Sequence, residues 1–214
     1  LVNRTVSGLY PPGSTFKIVT ALAALDGGVL KPEERLPCTG SLELGGHTFN
    51  CWKRSGHGSS DLVRAIAESC DCYFYEAARR LGIERLALAA RALGLGRTFD
   101  CGLPLQKAGI VPNADWKHGR LGRPWLQGET LLAGIGQGYV LANPLQLAIM
   151  TARAATGLMV EPTIVRPADT DGRPEPEPIP FEAGSVEVVR RGLLAAVNGD
   201  GGTGSAARLD RSDG

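Results

Sequence analysis

Apolar positions recur along most of this chain at the spacing of a helix. From Phe16 to Leu25 they lie nearly all round the predicted helix, which indicates a helix inside a core. Gly27-Gly28 is expected to end that helix. The same spacing predicts further helices at 61–68, from a break at 69–71 to Gly82, at 84–93 and at 186–197, and Asn143-Pro144 is expected to cap and begin another through 145–150.

Alternating apolar and polar residues predict one hairpin, with strands at 41–44 and 47–49 joined by the two-residue turn Gly45-Gly46. Cys38 and Cys51 then fall near its open end, on opposite strands. The remaining segments predict less regular structure: a polar loop at 52–60, an irregular stretch rich in glycine and proline at 95–128, a strand at 159–166, a proline-rich and charged linker or hairpin at 167–180, and a glycine-rich polar tail at 199–214.

The composition is that of one ordinary globular domain. The 214 residues are 43% apolar and 21% charged, with a net charge of +1. This charge balance favours neither nucleic acid nor a membrane surface as a partner. No apolar run has the length of a bilayer span, and Leu1-Val2-Asn3-Arg4 does not begin a leader sequence. Because the first predicted buried helix begins almost at once, we expect a fragment that starts in mid-domain.

Ser14 and Lys17 form the first candidate for chemistry. Three residues apart on a helix, they lie on the same face, one turn from each other. A serine hydroxyl needs a neighbouring base to become a nucleophile, and a lysine serves as that base only if burial or positive charge lowers its pKa. The apolar surroundings favour burial, and the helix dipole favours negative charge near Ser14. The pattern Ser-x-x-Lys is common by itself, and its plain interpretation is a capped, exposed helix start.

The complete string at 10–17, Tyr-Pro-Pro-Gly-Ser-Thr-Phe-Lys, resembles the nucleophile motif of the class B penicillin-binding proteins, the serine transpeptidases that cross-link bacterial peptidoglycan. The Gly-Ile-Gly-Gln-Gly segment at 134–138, followed by 143–148, resembles another segment of this family. The resemblance covers nearly all of the chain and points to the elongation-specific, penicillin-binding protein 2 type. It implies an α/β (α+β) fold like that of serine β-lactamases and transpeptidases.

The family's third motif, Lys-Thr-Gly or Lys-Ser-Gly on a core strand, is absent from this sequence, as are the first core strands of the fold. The resemblance therefore implies that residues 1–214 are part of a transpeptidase domain. Most of the central sheet would lie outside them, so we expect them to be mostly helical with short hairpins. Such a piece is expected to be poorly active by itself.

Ser69-Cys70-Asp71 is the second candidate for chemistry. By local sequence Ser69 and Asp71 would simply cap the next helix. The segment also resembles the family's Ser-x-Asn motif, with Asp71 in place of the asparagine. The resemblance implies that Ser14 attacks the D-Ala–D-Ala carbonyl of a stem peptide, Lys17 takes its proton, and Ser69, positioned by Asp71, helps to pass the proton to the leaving amine. Whether Asp71 is charged or shares a proton with Lys17 stays open.

Cys38, Cys51, His57 and Cys70 supply three thiolates and an imidazole, the ligand set of a closed structural zinc site. Some elongation-type relatives hold a zinc ion beside the active site, with ligands on the hairpin, on a Gly-His-Gly loop and at the middle of the second motif. The resemblance therefore implies zinc as a structural cofactor. A Cys38–Cys51 disulfide and unpaired buried thiols are the alternatives. The other two cysteines are expected in the core.

The resemblance also implies partners and a location. Peptidoglycan stem peptides and β-lactams are the expected ligands, and a membrane glycosyltransferase of the elongation machinery is the expected partner, with no nucleic acid. The location would be periplasmic, with an inner-membrane anchor helix outside this chain. Two alternative functions remain: a serine β-lactamase, for which we find no deacylating glutamate in the expected place, and a penicillin-sensing or scaffold domain.

Overall fold

A computed structural model of the chain describes residues 2–164 and 175–209. Helices make up most of its regular structure. They are α1 (Arg4–Ser7), α2 (Lys17–Asp26), α3 (Leu62–Ala67), α4 (Asp71–Leu81), α5 (Ile83–Ala92), α6 (Ala114–Leu121), α7 (Gln127–Gly134), α8 (Pro144–Thr156) and α9 (Ala183–Asn198), with 3-10 helices at Gly13–Phe16 and Ser205–Ala207. The strands are β1 (Leu36–Cys38), β2 (Ser41–Leu44), β3 (His47–Asn50) and β4 (Gly58–Ser60).

The helices predicted from apolar spacing are present, and side-chain caps explain where two of them begin. Asn143 accepts a hydrogen bond from the backbone N–H of Gln146, whose side chain bonds back to the Asn143 N–H, so the two residues form a capping box at α8. Asp61 caps α3 by accepting from the N–H of Arg64 at 2.9 Å. The short helix α1 is an addition that the pattern did not predict.

The prediction of an irregular 95–128 is wrong in its second half, which contains α6 and the start of α7. Asn113 caps α6 by accepting from the Trp116 N–H at 2.9 Å. The buried Lys117 of α6 forms an ion pair with Glu129 of α7 at 2.5 Å. The apolar pattern of these two short helices is too weak to predict them. Contact between the two helices stabilises them instead.

Two small antiparallel sheets lie beside the helices. The predicted hairpin is confirmed, with β2 and β3 in a register that pairs Leu44 with His47 across the glycine turn. The strand β4 was not predicted, because Gly-Ser-Ser has no alternation, and it pairs with β1 so that Cys38 lies opposite Gly58. Cys38 therefore ends β1 of this second sheet, while Cys51 follows β3 and donates its N–H to Gly40 O at 2.8 Å.

The strand predicted at 159–166 is not found in its described part, 159–164, which has only a bridge from the adjacent Leu158 to Pro178. Pro178 belongs to the segment predicted as a linker or hairpin, whereas Leu158 precedes the predicted strand. Residues 165–174 and the end of the predicted tail, 210–214, lie outside the described residues. No helix among the described residues has the length and apolar character to cross a bilayer.

The helix α2 lies at the centre of the core, as its apolar pattern predicts. It packs against α4, α5 and α9, and each of its residues from Lys17 to Ala24 is buried. Leu22 of α2 and Phe74 of α4 have no exposed surface. Burying such a side chain contributes ~1.5–3 kcal/mol, so this packing holds α2 firmly against α4.

The start of α2 is also fixed by the glycine-rich segment between α7 and α8. The Gly13 N–H donates to Gly136 O at 2.9 Å, and Thr20 Oγ1 donates to Gly134 O at 2.6 Å. Gly136 has a φ of 71°, and a Cβ built there would lie 2.3 Å from Gly13 O. Only glycine permits this approach, which sets the 3-10 turn that carries Ser14.

We predict that Gly136→Ala destabilises the chain by about 2–5 kcal/mol, because a left-handed alanine costs about 1–2 kcal/mol and overpacking adds a further penalty. Gly138→Ala is the matched control, since Gly138 has nearly the same φ of 69° but its Cβ would meet only Leu132 at 3.5 Å. Urea unfolding of both variants measures the difference. Equal losses of stability would show that the close approach to Gly13 has no energetic role.

Candidate active site

The first sequence candidate, Ser14, lies on the 3-10 turn that leads directly into α2. Tyr10, four residues earlier, is held by paired backbone hydrogen bonds with Ala142, at 2.9 and 3.0 Å. Ser14 is exposed, whereas Lys17, the first residue of α2, is only 3% exposed. The turn therefore offers a hydroxyl to a ligand while the amine one turn later is shielded from water.

A continuous chain of hydrogen bonds joins four of the predicted residues. Lys17 Nζ donates to Asp71 Oδ1 at 2.6 Å, to Ser69 Oγ at 3.0 Å and to Ser69 O at 2.9 Å. The Ser69 hydroxyl in turn donates to Ser14 Oγ at 2.9 Å. These three bonds use all three donors of an ammonium group. The sequence suggested direct contact between Lys17 and Ser14, but the structure has the Ser69 hydroxyl between them.

The side chain of Asp71 faces α2 and does not cap its own helix. Cys70 is the N-cap residue of α4, with no side-chain hydrogen bond, and Asp71 is the first helical residue. The Asp71 carboxylate binds Lys17 through Oδ1 and accepts the backbone N–H of Trp52 through Oδ2 at 2.9 Å. The Phe74 ring covers the same amine, 5.6 Å from Lys17 Nζ. The interpretation of Asp71 as a plain helix cap is therefore wrong.

Trp52 contacts the candidate catalytic residues Ser69 and Asp71, and the sequence did not predict this. Its indole N–H donates to Ser69 O at 3.0 Å and to Glu68 O at 3.1 Å, although its side chain lies on the surface. Ser69 itself has a φ of 53°, a left-handed conformation that is uncommon for serine. The only sequence signal for Trp52 was a tryptophan directly after a candidate metal ligand.

The four candidate metal ligands converge, as predicted. The ligand atoms of Cys38, Cys51, His57 and Cys70 all lie within 4.8 Å of one another, and all four residues are buried. His57 Nδ1 is 3.5 Å from both Cys38 Sγ and Cys51 Sγ. A tetrahedral zinc with usual bond lengths places sulfur and nitrogen about 3.6 Å apart, so these separations fit such an ion.

All five cysteines, each within the described residues, are free thiols, so Cys38 and Cys51 do not form a disulfide in this structure. Burial tends to raise the pKa of Cys38, but hydrogen bonds from the backbone and ring of His57 outweigh it and lower the pKa to about 6. Burial raises the pKa of Cys70, and the nearby Cys38 adds to this rise. Ionising all three thiols in this buried space would be strongly unfavourable without a cation among them.

The two remaining cysteines were both expected in the core. Cys72 is buried there, at 3% exposure. Cys101 is only half-buried, and the Gln106 amide lies 3.7 Å from its sulfur. The expectation is therefore met by Cys72 and is wrong for Cys101.

Comparison with known proteins places this geometry in context. The family described as the penicillin binding protein transpeptidase domain matches residues 1–213. The peptidoglycan D,D-transpeptidase MrdA of Haemophilus influenzae is 36% identical over 220 residues, covering 98% of this chain and 34% of the relative. The chain thus spans about a third of the length of the curated relatives that it matches.

Two solved structures share the fold. PBP2 of Pseudomonas aeruginosa, in complex with WCK 5153, has a TM-score of 0.87 and 37% identity, covering 96% of this chain and 48% of that one. PBP2 of Helicobacter pylori, in complex with MreC, has a TM-score of 0.86 and 34% identity, covering 94% and 38%. These similarities confirm the expected transpeptidase-like fold, which is mostly helical over these residues.

We predict that Asp71→Leu destabilises the chain by about 3–5 kcal/mol, because it leaves the buried Lys17 ammonium without its counter-ion. The double variant Lys17→Met with Asp71→Leu removes both charges and should recover most of this loss. Urea unfolding measures both.

Glu187→Ala is the control for this comparison, since it breaks the exposed pair with Arg190 and is expected to change stability by less than about 0.5 kcal/mol. If the double variant is no more stable than Asp71→Leu alone, the ion pair does not carry the stability that we assign to it.

Proposed function

The chain belongs to the penicillin-binding protein transpeptidase family, and we propose that it carries the acyl-transfer chemistry of a peptidoglycan D,D-transpeptidase of the elongation type. The observation that carries this proposal is the hydrogen-bonded chain from Ser14 through Ser69 and Lys17 to Asp71. It joins an exposed hydroxyl to a buried amine, the arrangement that a serine nucleophile needs. The relatives favour this activity over the β-lactamase and penicillin-sensor alternatives.

In the proposed reaction, Ser14 Oγ attacks the carbonyl carbon of the D-Ala–D-Ala bond. Lys17 first gives its extra proton to Asp71 and becomes a neutral base, and the two hydroxyl groups rotate so that Ser14 donates to Ser69 and Ser69 donates to Lys17. The Ser14 proton then passes to Ser69 Oγ while Ser69 gives its own proton to Lys17. When the C–N bond breaks, the proton returns through Ser69 to the departing D-Ala amine. The product is an acyl ester on Ser14.

The oxyanion of the tetrahedral intermediate needs donors near Ser14. We assign the Ser14 backbone N–H as one of them, and the family's third-motif strand would supply the other. The amine of a second stem peptide then attacks the ester and completes the cross-link. A β-lactam would acylate the same hydroxyl and remain there.

Cys38, Cys51, His57 and Cys70 would hold a structural zinc ion. The sulfur–nitrogen separations of 3.5 Å and the burial of all four residues support this assignment. When bound, the ion would neutralise the thiolates and fasten the end of the hairpin to the turn that carries Ser69. Four protein ligands leave no open coordination position, so the ion would take no part in the acyl transfer.

We propose that this chemistry takes place outside the cytoplasm, at the inner membrane, because the proposed substrate is part of the cell wall. Stem peptides and β-lactams are the proposed ligands, and a membrane glycosyltransferase is the proposed partner. The solved complex of the Helicobacter pylori protein with MreC supports assembly with other proteins.

We predict that fluorescent penicillin labels Ser14 in a protein that contains this chain within a complete transpeptidase domain. Ser14→Ala should abolish labelling, and Lys17→Ala should slow it by ~10²–10⁴-fold, because a general base is lost. Gel fluorescence over time measures both. Ser7→Ala is a matched control that should label normally, because Ser7 lies at the end of α1 and its hydroxyl donates to Leu105 O, outside this network. Undiminished labelling of Ser14→Ala would rule out the proposed nucleophile.

We predict one equivalent of zinc per chain, measured by elemental analysis of protein purified without added metal. Cys38→Ser or Cys70→Ser should lower the zinc content sharply, since the thiolate is the metal ligand. Cys101→Ser, outside the cluster, should retain it. Cobalt substitution should give thiolate-to-metal charge-transfer absorption. A Cys38–Cys51 disulfide in mass spectra of metal-free protein as purified would contradict the zinc assignment.

A further inference from the structure

We propose that Trp52 is a positioning residue of this active site, whose indole N–H holds the Ser69 carbonyl so that the Ser69 hydroxyl stays between Ser14 and Lys17. The inference rests on the proposed function, because it names a residue on which the acylation rate depends. The hydrogen bonds of Trp52 go to Glu68, Ser69 and Asp71, and none of them goes to Ser14 itself. Trp52 therefore acts through the second motif, Ser69-Cys70-Asp71.

The backbone at Ser69 needs outside support. Its φ of 53° is strained for a serine, and such residues persist only where the surroundings hold them. Two donors hold its carbonyl: Lys17 Nζ at 2.9 Å and the Trp52 indole at 3.0 Å. The same indole also satisfies Glu68 O, at the C-terminus of α3. Trp52 thus supports the left-handed turn through the carbonyls of Glu68 and Ser69.

The two donors differ during the reaction. A hydrogen bond from a charged ammonium is roughly twice as strong as one from a neutral donor. In the proposed mechanism Lys17 alternates between charged and neutral forms, so its hold on the Ser69 carbonyl weakens when it is neutral. The indole N–H of Trp52 does not titrate, so it holds the carbonyl equally in both forms.

The other contacts of Trp52 link it both to the Lys17–Asp71 pair and to the cysteine–histidine cluster. Its backbone N–H donates to Asp71 Oδ2 at 2.9 Å, opposite the oxygen that binds Lys17. Its ring meets the His57 ring edge-on, with centroids 5.3 Å apart. His57 Nε2 is buried without a hydrogen-bond partner, so this ring contact helps to orient the imidazole toward Cys38 and Cys51. Trp52 therefore lies between the cysteine–histidine cluster and the second motif.

The Trp52 ring lies largely in solvent. The Trp52 side chain is 57% exposed, so removing its N–H leaves little core packing to repair. A change confined to the N–H can therefore be tested with little change in overall stability. A lower acylation rate at unchanged stability would indicate a positioning role for Trp52 and not a merely structural one.

The test replaces Trp52, in a protein with a complete transpeptidase domain, by β-(3-benzothienyl)alanine, which keeps the ring shape and puts sulfur in place of the N–H. The acylation rate constant for fluorescent penicillin should fall about threefold to tenfold, the range expected for one hydrogen bond. The dissociation constant of the non-covalent complex, the final labelled fraction and the unfolding temperature should stay unchanged. Fluorotryptophan at position 52, which retains the N–H, should restore the native rate.

The matched control places benzothienylalanine at Trp125, whose indole donates to Thr130 Oγ1 at 2.8 Å, and it should leave the rate constant unchanged. An unchanged rate constant for the position 52 variant overturns the inference, while an unlabelled Ser14→Ala leaves the proposed function intact. A lowered unfolding temperature with fewer labelled molecules but a native rate constant also overturns it, because Trp52 would then be structural. Persistent labelling of Ser14→Ala would remove the proposed function and this inference together.

Discussion

The buried ion pair between Lys17 and Asp71 holds together the elements that build the candidate active site. Lys17 begins a helix whose first eight residues are buried, so its ammonium has no access to water. An unpaired charge in such a place is strongly unfavourable. The pair therefore fixes the start of α2 against the start of α4 and, with it, the turn that carries Ser69. The distance from Ser69 Oγ to Ser14 Oγ follows from this placement.

One three-residue turn serves two sites because its side chains point in different directions. Ser69 and Asp71 face Lys17, whereas Cys70 between them faces Cys38 and Cys51. The left-handed backbone at Ser69 makes this divergence possible, and Lys17 and Trp52 hold it through the Ser69 carbonyl. A change in the cysteine–histidine cluster would therefore reach the hydroxyl that links Ser14 to Lys17.

Local signals in the sequence account well for the long helices and the hairpin. The helix α2 is apolar on all sides and ends at paired glycines, and the Asn143-Pro144 cap begins α8 where expected. Short elements were missed where their stability comes from other parts of the chain. The strand β4 is Gly-Ser-Ser, which has no pattern of its own and exists because β1 pairs with it. The helix α6 likewise depends on the ion pair from Lys117 to Glu129.

The chemical groups of both sites can be read from the amino-acid sequence: a serine and lysine one turn apart, a second serine and carboxylate at a helix break, and three thiols with an imidazole. How these groups connect depends on the packing of the folded chain. Helical spacing brings Ser14 and Lys17 to one face, but only packing of α4 against α2 inserts the Ser69 hydroxyl between them. The role of Trp52 could not be predicted for the same reason, since its hydrogen-bond partners lie 16 to 19 residues away along the chain. Local patterns report the burial of one element, whereas hydrogen bonds between distant segments are set by how the elements pack.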